Sequence, residues 1–226
     1  MRRAIIVFTR VPVAGQTKTR LMPYFSPQEC AGLHTCFLKD IAGQCQKTQA
    51  DLYICYTPDD KGAALKNMIG DDKIYFPQMG ESLGERMYMA IQRVLAKDYG
   101  SCVLIGTDVP EIKQADLDYA FRLLDVHDIV LGPTQDGGYY LVGMKKSVRE
   151  VFEKQTYSHA SVLENTAKAT FEAGYTVGFA RTLHDIDEKE DISKFRNRMR
   201  KTPELQKSEV FPFPLQLGQV VLVINA

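Results

Sequence analysis

The sequence predicts an α/β protein built on a mixed, mostly parallel sheet that is flanked by helices. Two observations lead to this fold class. Short apolar segments alternate along the chain with longer segments whose apolar residues recur at helical spacing. Most of the short segments are apolar throughout rather than at every second position, which is typical of strands that helices cover on both faces.

The predicted strands begin close to the N-terminus. In chain order they are Ala4–Thr9, Leu52–Thr57, Lys73–Phe76, Cys102–Ile105, Asp128–Gly132, Tyr139–Met144 and Thr176–Leu183. Six residues separate Gly132 from Tyr139, too few for the crossover helix that a parallel pair requires. This pair is therefore predicted to be antiparallel, which makes the sheet mixed.

Helix start signals occur between the predicted strands. Ser26 and Glu29 have the spacing of a capping box, with Pro27 at the first helical position. Ser161 and Glu164 have the same spacing and predict a helix that ends near residue 173. The remaining predicted helices are Ala63–Met68, Leu83–Lys97, Leu117–Leu124 and Glu188–Arg200. Most of these helices fall between two strands, as βαβ units require.

Length and composition indicate one domain followed by a tail. The chain has 226 residues, of which 45% are hydrophobic and 25% are charged, as in ordinary globular proteins. No linker interrupts residues 1–202, so we predict a single domain there. Residues 203–226 form an apolar tail without a predicted role, and Val220–Ile224 within it is continuously apolar. We expect that segment to dock on a sheet edge of its own subunit or of a second one, which would give a homodimer.

Charge and cysteine content argue against several classes of protein. The 28 basic and 28 acidic residues leave no net charge, so we do not expect a nucleic acid polymer as a partner. The apolar stretch at the N-terminus is too short for a signal peptide or a transmembrane segment, so we expect a cytoplasmic protein. Five cysteines without a CxxC pair argue against structural zinc and against a disulfide framework.

A basic loop follows the first predicted strand. It contains Thr9, Arg10, Gly15, Lys18 and Arg20, which combine hydroxyl and cationic donors suited to a diphosphate or triphosphate. Ligands of open α/β sheets bind outside the carboxyl ends of the strands, where this loop is expected. The loop is not a P-loop, because a threonine stands before the lysine where that motif requires glycine. The alternative is a solvated basic loop that binds nothing.

A single carboxylate follows the fourth predicted strand. The strand leads through Gly106 and Thr107 to Asp108, and Pro110 keeps the next residues from entering a helix at once. We therefore expect Asp108 in the same crevice as the basic loop, where it could bind a divalent cation that also bridges phosphate oxygens. The alternative is that Asp108 caps the helix that follows.

The antiparallel strands are joined by Asp136, Gly137 and Gly138, with Tyr139 directly after them. Asp-Gly between two apolar segments predicts a hairpin turn. Two successive glycines before a tyrosine also suit a backbone that approaches a ligand closely. The sequence alone leaves both interpretations open.

The segment HDID, residues 184–187, directly follows the last predicted strand. Asp187 is either the N-cap of the next helix, with Glu190 three residues later, or a second metal carboxylate. The four histidines show no spacing typical of metal ligands, although His159 and His184 fall near predicted site loops.

These segments occur together, and in the same order, in a known group of proteins. The chain resembles the bacterial glycosyltransferase-like family of nucleotide-diphospho-sugar transferases, which is related to the sugar-phosphate, molybdenum-cofactor and phospholactate nucleotidyltransferases. The segments that carry the resemblance are AGQTKTRL (14–21), GESLGERM (80–87), IGTDVPEI (105–112), GPTQDGGYYLVG (132–143), SVLENT (161–166) and HDIDEKEDI (184–192). One departure is YSH at 157–159, where the group usually has Trp-Gly or a similar pair that would affect acceptor contacts.

The resemblance implies a GT-A-like, Rossmann-type fold that binds a nucleotide diphosphate together with a divalent metal, Mg²⁺ or Mn²⁺. Asp108 and Asp187 are then the metal ligands, and Lys18, Asp108 and Asp136 are the catalytic residues. The implied nucleotide and phosphate contacts are Thr9, Arg10, Gly15, Lys18, Arg20, Gly106 and Thr107. The implied donor or acceptor pocket consists of Gly137, Gly138, Tyr139 and His159.

Three functions fit these residues. The favoured one is a metal-dependent transferase that acts on a nucleotide-sugar donor and on an acceptor that the sequence does not identify. The alternative on the same scaffold is a nucleotidyltransferase that uses a nucleoside triphosphate and releases pyrophosphate. The third is a nucleotide-binding protein without catalysis. Donor hydrolysis, pyrophosphate release and binding without turnover would distinguish the three.

Overall fold

The computed structural model describes residues 1–153, 155–157, 159–203 and 205–210. These residues form a seven-stranded sheet with helices packed on both faces. The strands are β1 (Arg3–Arg10), β2 (Asp51–Thr57), β3 (Ile74–Pro77), β4 (Ser101–Ile105), β5 (Ile129–Pro133), β6 (Tyr139–Met144) and β7 (Val177–Phe179). The α-helices are α1 (Pro27–Gln46), α2 (Gly62–Ile69), α3 (Leu83–Leu95), α4 (Gln114–Val126), α5 (Val162–Glu172) and α6 (Lys189–Lys201).

The strand order is β3-β2-β1-β4-β6-β5-β7. Strand β6 runs antiparallel to both of its neighbours, β4 and β5, and the other four strand pairs are parallel. The predicted mixed, mostly parallel sheet is therefore confirmed. Strand β1 has β2 on one side and β4 on the other, so the chain changes direction across the sheet at this point. In open α/β sheets such a switch point opens a crevice at the carboxyl ends of the two strands.

The central strands are buried on both faces. Ile5 and Val7 of β1 point into a core formed with α1, α2 and α4, while Ala4 and Ile6 point into a core formed with α3 and α5. Each fully buried isoleucine contributes about 1.5–3 kcal/mol through the hydrophobic effect. This double coverage explains why the strand sequences are apolar at every position.

A third apolar cluster holds together the loops that follow β1 and precede α6. Leu21, after β1, and Ile186, before α6, are fully buried in this cluster together with residues of α1 and α6. The rings of Phe37 and Phe195 meet edge to face with their centroids 6.3 Å apart. Burial of Leu21 and Ile186 holds the basic loop and the HDID segment at the same end of the sheet.

The last strand is shorter than predicted. Of the predicted strand Thr176–Leu183 only Val177–Phe179 pairs with β5, followed by an isolated bridge between Thr134 and Leu183. The register of β5 is irregular at its end, and Pro133 has no N–H with which to donate the next hydrogen bond of the ladder. The strand therefore stops and the chain is free to turn toward the crevice.

One of the two predicted capping boxes is present. The Ser26 hydroxyl accepts a hydrogen bond from the Glu29 N–H, and the Glu29 carboxylate accepts one from the Ser26 N–H. The box predicted at Ser161 is wrong, although α5 begins directly after it. Ser161 makes no side-chain cap, and its own N–H donates to Nδ1 of His159 at 3.2 Å.

The segment predicted as a tail begins within the folded body. Leu205 and Val210 are buried in the third apolar cluster, and the Glu209 N–H donates to Asp40 of α1. The segment 211–226, with its predicted docking strand Val220–Ile224, lies outside the described residues. None of the helices in the described part of the chain has both the length and the apolar character needed to span a membrane.

Candidate functional site

The carboxyl ends of β1 and β4 open into a cavity of about 680 Å³ at the switch point of the sheet. The predicted residues in its lining are Thr9, Arg10, Lys18, Arg20, Gly106, Thr107, Asp108, Tyr139 and Asp187. Gly15 and Gly137, also predicted, do not line it. The structure thus brings together three segments that are far apart in the sequence.

Lys18 connects these three segments. Its Nζ lies 2.5 Å from Oδ1 of Asp108 and 3.2 Å from Oδ1 of Asp187, and it donates to the carbonyl oxygen of Ile186 at 2.5 Å. An ammonium group has three N–H donors, so all three are used. The Lys18 side chain is only 5% exposed, which rules out the solvated-loop alternative for this residue.

The local sequence prepares this position of Lys18. The Val13 N–H donates to the hydroxyl of the buried Thr17, which in turn donates to the Val11 carbonyl, so the loop closes on itself. Gly15 has a φ of +84° at the turn of the loop, a conformation that glycine adopts without steric cost. Lys18 itself is left-handed, with φ 53° and ψ 45°, which is uncommon for a residue with a side chain.

The ion pair is fully charged at neutral pH. Burial alone would raise the pKa of the Asp108 carboxyl, but Lys18, with His34 and Arg10 further away, holds this pKa below its usual value. Burial would likewise lower the pKa of Lys18, but Asp108 and Asp187 keep it above its usual value. The Arg20 side chain is 60% exposed and its Nη1 lies 3.8 Å from Oδ2 of Asp187, so this guanidinium remains accessible to a ligand.

Asp108 is not a helix cap. Helix α4 begins at Gln114, and its cap is Lys113, whose N–H donates to Oδ2 of Asp116 at 2.9 Å. The Asp108 carbonyl instead accepts a hydrogen bond of 2.9 Å from the Ile186 N–H. The backbone after β4 is thereby bound to the HDID segment, and the Asp108 carboxylate is directed to Lys18.

Asp187 is not a cap either. The N-cap of α6 is Glu188, and Oδ2 of Asp191 accepts hydrogen bonds from the N–H groups of Glu188 and Asp187, at 3.0 and 3.3 Å. Because Asp191 serves the helix end, the carboxylate of Asp187 is available to Lys18 and Arg20. The implied role of Asp187 as a metal ligand stays a prediction.

A buried polar chain lies behind the ion pair. Oγ1 of Thr9 is 3.2 Å from Nε2 of His34 and 3.3 Å from Oγ1 of Thr107. His34 is 3% exposed, and burial lowers its pKa to about 4, so its ring is neutral. His34 was not among the predicted site residues. The only signal was a histidine inside the apolar stripe of α1, one residue after Leu33.

The hairpin turn predicted between β5 and β6 is present, and a close approach of its glycines to a ligand stays a prediction. Oδ1 of Asp136 accepts hydrogen bonds from the Thr134 hydroxyl at 2.5 Å and from the Gly138 N–H at 3.0 Å, which stabilises the turn. Gly137 has a φ of +89°, and a Cβ at this position would lie 1.9 Å from the Ala160 carbonyl oxygen. The same turn brings Asp136 and Gly138 to a second cavity.

This second cavity, of about 440 Å³, adjoins the first. The two share part of their lining, including Arg20, Asp108, Asp187 and Tyr139. The second cavity adds Asp136, Gly138, Tyr157, His159 and Asp185. Asp185 was not predicted as a site residue. Burial raises its pKa to about 6, and the neighbouring charges of Asp136 and Asp187 add to this shift.

The two carboxylates at this site suit a divalent cation whose remaining coordination positions are filled by phosphate oxygens. Asp108 and Asp187 direct one oxygen each to a single cationic atom, Nζ of Lys18. Mg²⁺ commonly takes one or two carboxylates from the protein and its other ligands from phosphates and water. Within the described ranges no group of three or more His, Cys, Asp or Glu side chains is arranged around a common metal position. A two-carboxylate site remains compatible with this chemistry.

Comparisons with known proteins agree with the fold. A proposed nucleotide-diphospho-sugar transferase from Desulfovibrio desulfuricans G20 is 30% identical, with 93% of each chain covered and a TM-score of 0.88. A 4-diphosphocytidyl-2C-methyl-D-erythritol synthase from Anaerococcus prevotii is 11% identical over 88% of this chain and 96% of its own, with a TM-score of 0.56. An inositol-1-phosphate CTP transferase from T. maritima is 16% identical over 92% of this chain and 97% of its own, with a TM-score of 0.55.

The first of these similarities confirms the predicted fold class, a nucleotide-diphospho-sugar transferase-like fold, and the other two share the fold alone. No curated protein matches the chain. The model of one protein family matches residues 41–159, more than half of the chain. The chain therefore belongs to the family described as "uncharacterized protein conserved in bacteria (DUF2064)".

Proposed function

We propose that this protein is a transferase that binds a nucleotide-sugar donor in the first cavity, together with a divalent cation, and transfers the sugar to an acceptor. The observation that carries the proposal is the buried Lys18, held between Asp108 and Asp187 at the switch point of the sheet. A cation and two carboxylates at this edge are the groups that a metal-bound diphosphate requires.

Four cationic side chains line the first cavity, Arg10, Lys18, Arg20 and Arg86. They are the proposed contacts of the diphosphate, since charge-assisted hydrogen bonds to phosphate are the strong ones. Asp108 and Asp187 would hold Mg²⁺ or Mn²⁺. When bound, such an ion would act as a Lewis acid on the phosphate oxygens and stabilise the charge of the leaving diphosphate.

The transfer itself would need a base on the acceptor side. A bond forms between the acceptor oxygen and the anomeric carbon, and the bond from that carbon to the diphosphate oxygen breaks. The electron pair leaves with the nucleoside diphosphate, and the acceptor proton passes to a carboxylate. Asp136 is the proposed base. Its Oδ1 is used by the turn, and Oδ2 has no hydrogen-bond partner among the described residues.

The comparisons support a transferase and leave a second candidate. The relative from D. desulfuricans bears the name of a nucleotide-diphospho-sugar transferase, which agrees with the proposal. The two more distant neighbours are cytidylyl or CTP transferases by name. The four cations of the first cavity would also suit a triphosphate, which favours a nucleotidyltransferase as the alternative.

The cytoplasm is the proposed compartment, because the five cysteines are free thiols, as in reducing compartments.

The proposal is tested by binding and turnover. Calorimetry with nucleoside diphosphates, NDP-sugars and nucleoside triphosphates, each with and without Mg²⁺ or Mn²⁺, should show metal-dependent binding. Asp108→Ala should abolish the metal dependence, whereas the exposed Asp125→Ala should leave it unchanged. Unchanged affinity in Asp108→Ala would contradict the proposed site. Release of free sugar from NDP-sugars would support sugar transfer, and pyrophosphate release from triphosphates would support the alternative.

A further inference from the structure

The charges of the two cavities differ in sign. The first is lined by four cationic side chains against Glu81, Asp108 and Asp187. Among the described residues, the second is lined by four aspartates against a single arginine. These aspartates are Asp108, Asp136, Asp185 and Asp187. An anionic ligand is therefore favoured in the first cavity and disfavoured in the second.

The basic groups of the second cavity do not offset its carboxylates. Its arginine, Arg20, stands at the boundary between the cavities and already lies 3.8 Å from Oδ2 of Asp187. Nδ1 of His159 accepts a hydrogen bond from the Ser161 N–H, so this nitrogen is already engaged within the protein. Even with Asp108 and Asp187 neutralised by a divalent cation, Asp136 and Asp185 would still face a ligand in this cavity.

The remaining lining of the second cavity is apolar and aromatic. This lining includes Leu83 and Met87 of α3, Val162 of α5, and the rings of Tyr139 and Tyr157. Such walls bind apolar faces, including the C–H faces of sugar rings, and gain nothing from a charged group. Carboxylates at the edge of these walls can accept hydrogen bonds from hydroxyl groups.

We infer that the second cavity binds an uncharged acceptor that reacts through a hydroxyl group, and that it rejects phosphate esters. This inference rests on the proposed function, because it assigns the first cavity to the donor. It also separates the two candidate reactions. A nucleotidyltransferase acting on a sugar phosphate must bring an anionic phosphate to the acceptor side, where Asp136 and Asp185 oppose it.

The test begins with a nucleotide that fills the first cavity. Calorimetry with UDP, CDP, GDP and ADP in the presence of Mg²⁺ identifies the nucleotide that binds. If none binds, the proposed function fails and the inference fails with it. Saturation-transfer NMR at pH 8 then compares two matched pairs of probes on the nucleotide-loaded protein. The pairs are phenyl β-glucoside with its 6-phosphate, and benzyl alcohol with benzyl phosphate.

The neutral member of a pair should bind at least about tenfold more tightly than its phosphate, as expected for two unpaired carboxylates near a dianion. The double variant Asp136→Asn, Asp185→Asn keeps side chains of the same shape and should bind the phosphates about tenfold better. Glu81→Gln, which removes an acid from the first cavity only, should not change the ratio. Equal or tighter binding of the phosphates by the wild type would overturn the inference, as would a nucleotide-loaded protein that binds no neutral probe.

Discussion

At the scale of single residues, the proposed function gives Lys18 two roles that exclude each other. Its ammonium occupies the position between Asp108 and Asp187 at which a divalent cation would bind. A diphosphate that brings a cation must therefore draw Lys18 from the carboxylates to its own oxygens. Lys18 then compensates the charge of the two aspartates in the free protein and the charge of the phosphates in the complex.

This exchange predicts opposite effects of one substitution. Lys18→Met should weaken nucleotide binding by about tenfold or more, because a charge-assisted bond to phosphate is lost. The same variant should bind Mn²⁺ without nucleotide more tightly than the wild type, because nothing competes for the two carboxylates. Calorimetry and Mn²⁺ electron paramagnetic resonance measure the two affinities. Lys168→Met, on the exposed face of α5, is the control. A loss of both affinities would show that Lys18 only stabilises the loop.

His34 predicts a pH dependence of stability. Its pKa in the folded protein is about 4, below its ordinary value of 6.5, because burial disfavours the charged ring. Between these two values the unfolded chain binds a proton that the folded protein does not, so the free energy of unfolding falls as the pH falls. The change from pH 7 to pH 4 should be about 2–3 kcal/mol for this group.

Asp40 and Asp185 have raised pKa values and change stability in the opposite direction over part of this range, so the test compares variants. Urea unfolding of the wild type and of His34→Gln, followed by circular dichroism, should give free energies whose difference depends on pH. The same comparison with Leu33→Ala, a buried residue of α1 without a titratable group, should give a difference that does not change. A constant difference for His34→Gln would mean that His34 titrates normally in the folded protein.

At the scale of the elements, the turn between β5 and β6 predicts a contrast between two glycines. Gly137 and Gly174 have nearly the same φ, +89° and +83°, but only Gly137 faces another backbone. Gly174→Ala should lower the free energy of unfolding by about 1–2 kcal/mol, because a residue with a side chain is strained in the left-handed backbone conformation. Gly137→Ala should cost more than about 3 kcal/mol, because its Cβ would clash with the Ala160 carbonyl. Thermal unfolding measures both. Equal losses would mean that the hairpin and the 159–161 segment move apart at little cost.

The elements also show where local sequence signals stop being sufficient. Helix periodicity and apolar segments predicted the seven strands and six α-helices found in the described part of the chain, because these signals report burial directly. The end of β7 was wrong because it depends on Pro133, which belongs to the neighbouring strand. The cap at Ser161 was wrong because its N–H is bound by His159, and spacing alone does not reveal such a competing partner.

At the scale of the whole molecule, the position of the crevice could be predicted from the sequence, but the arrangement of the side chains inside it could not. Parallel strands end at one edge of a sheet, so the basic loop and Asp108 were expected to meet there. The burial of Lys18, the role of His34 and the two cavities of different charge depend on how α1 and α6 pack on that edge. That packing is set by contacts between distant residues, such as Phe37 with Phe195, which no local pattern indicates.

The last prediction concerns the association of whole chains. The apolar segment Val220–Ile224 lies outside the described residues, and its sequence favours pairing with a strand edge. In the described sheet β3 and β7 are the edge strands. A pairing between two identical chains would be isologous and would give a twofold dimer.

We therefore expect a dimer for the full chain and a monomer for a chain that ends at Val210, which keeps the buried Leu205 and Val210 in place. Light scattering after size exclusion measures both masses, and thermal unfolding shows whether the shortened chain is still folded. Two monomers of equal stability would contradict any docking of the tail, whereas two monomers with a less stable shortened chain would place the tail on its own subunit.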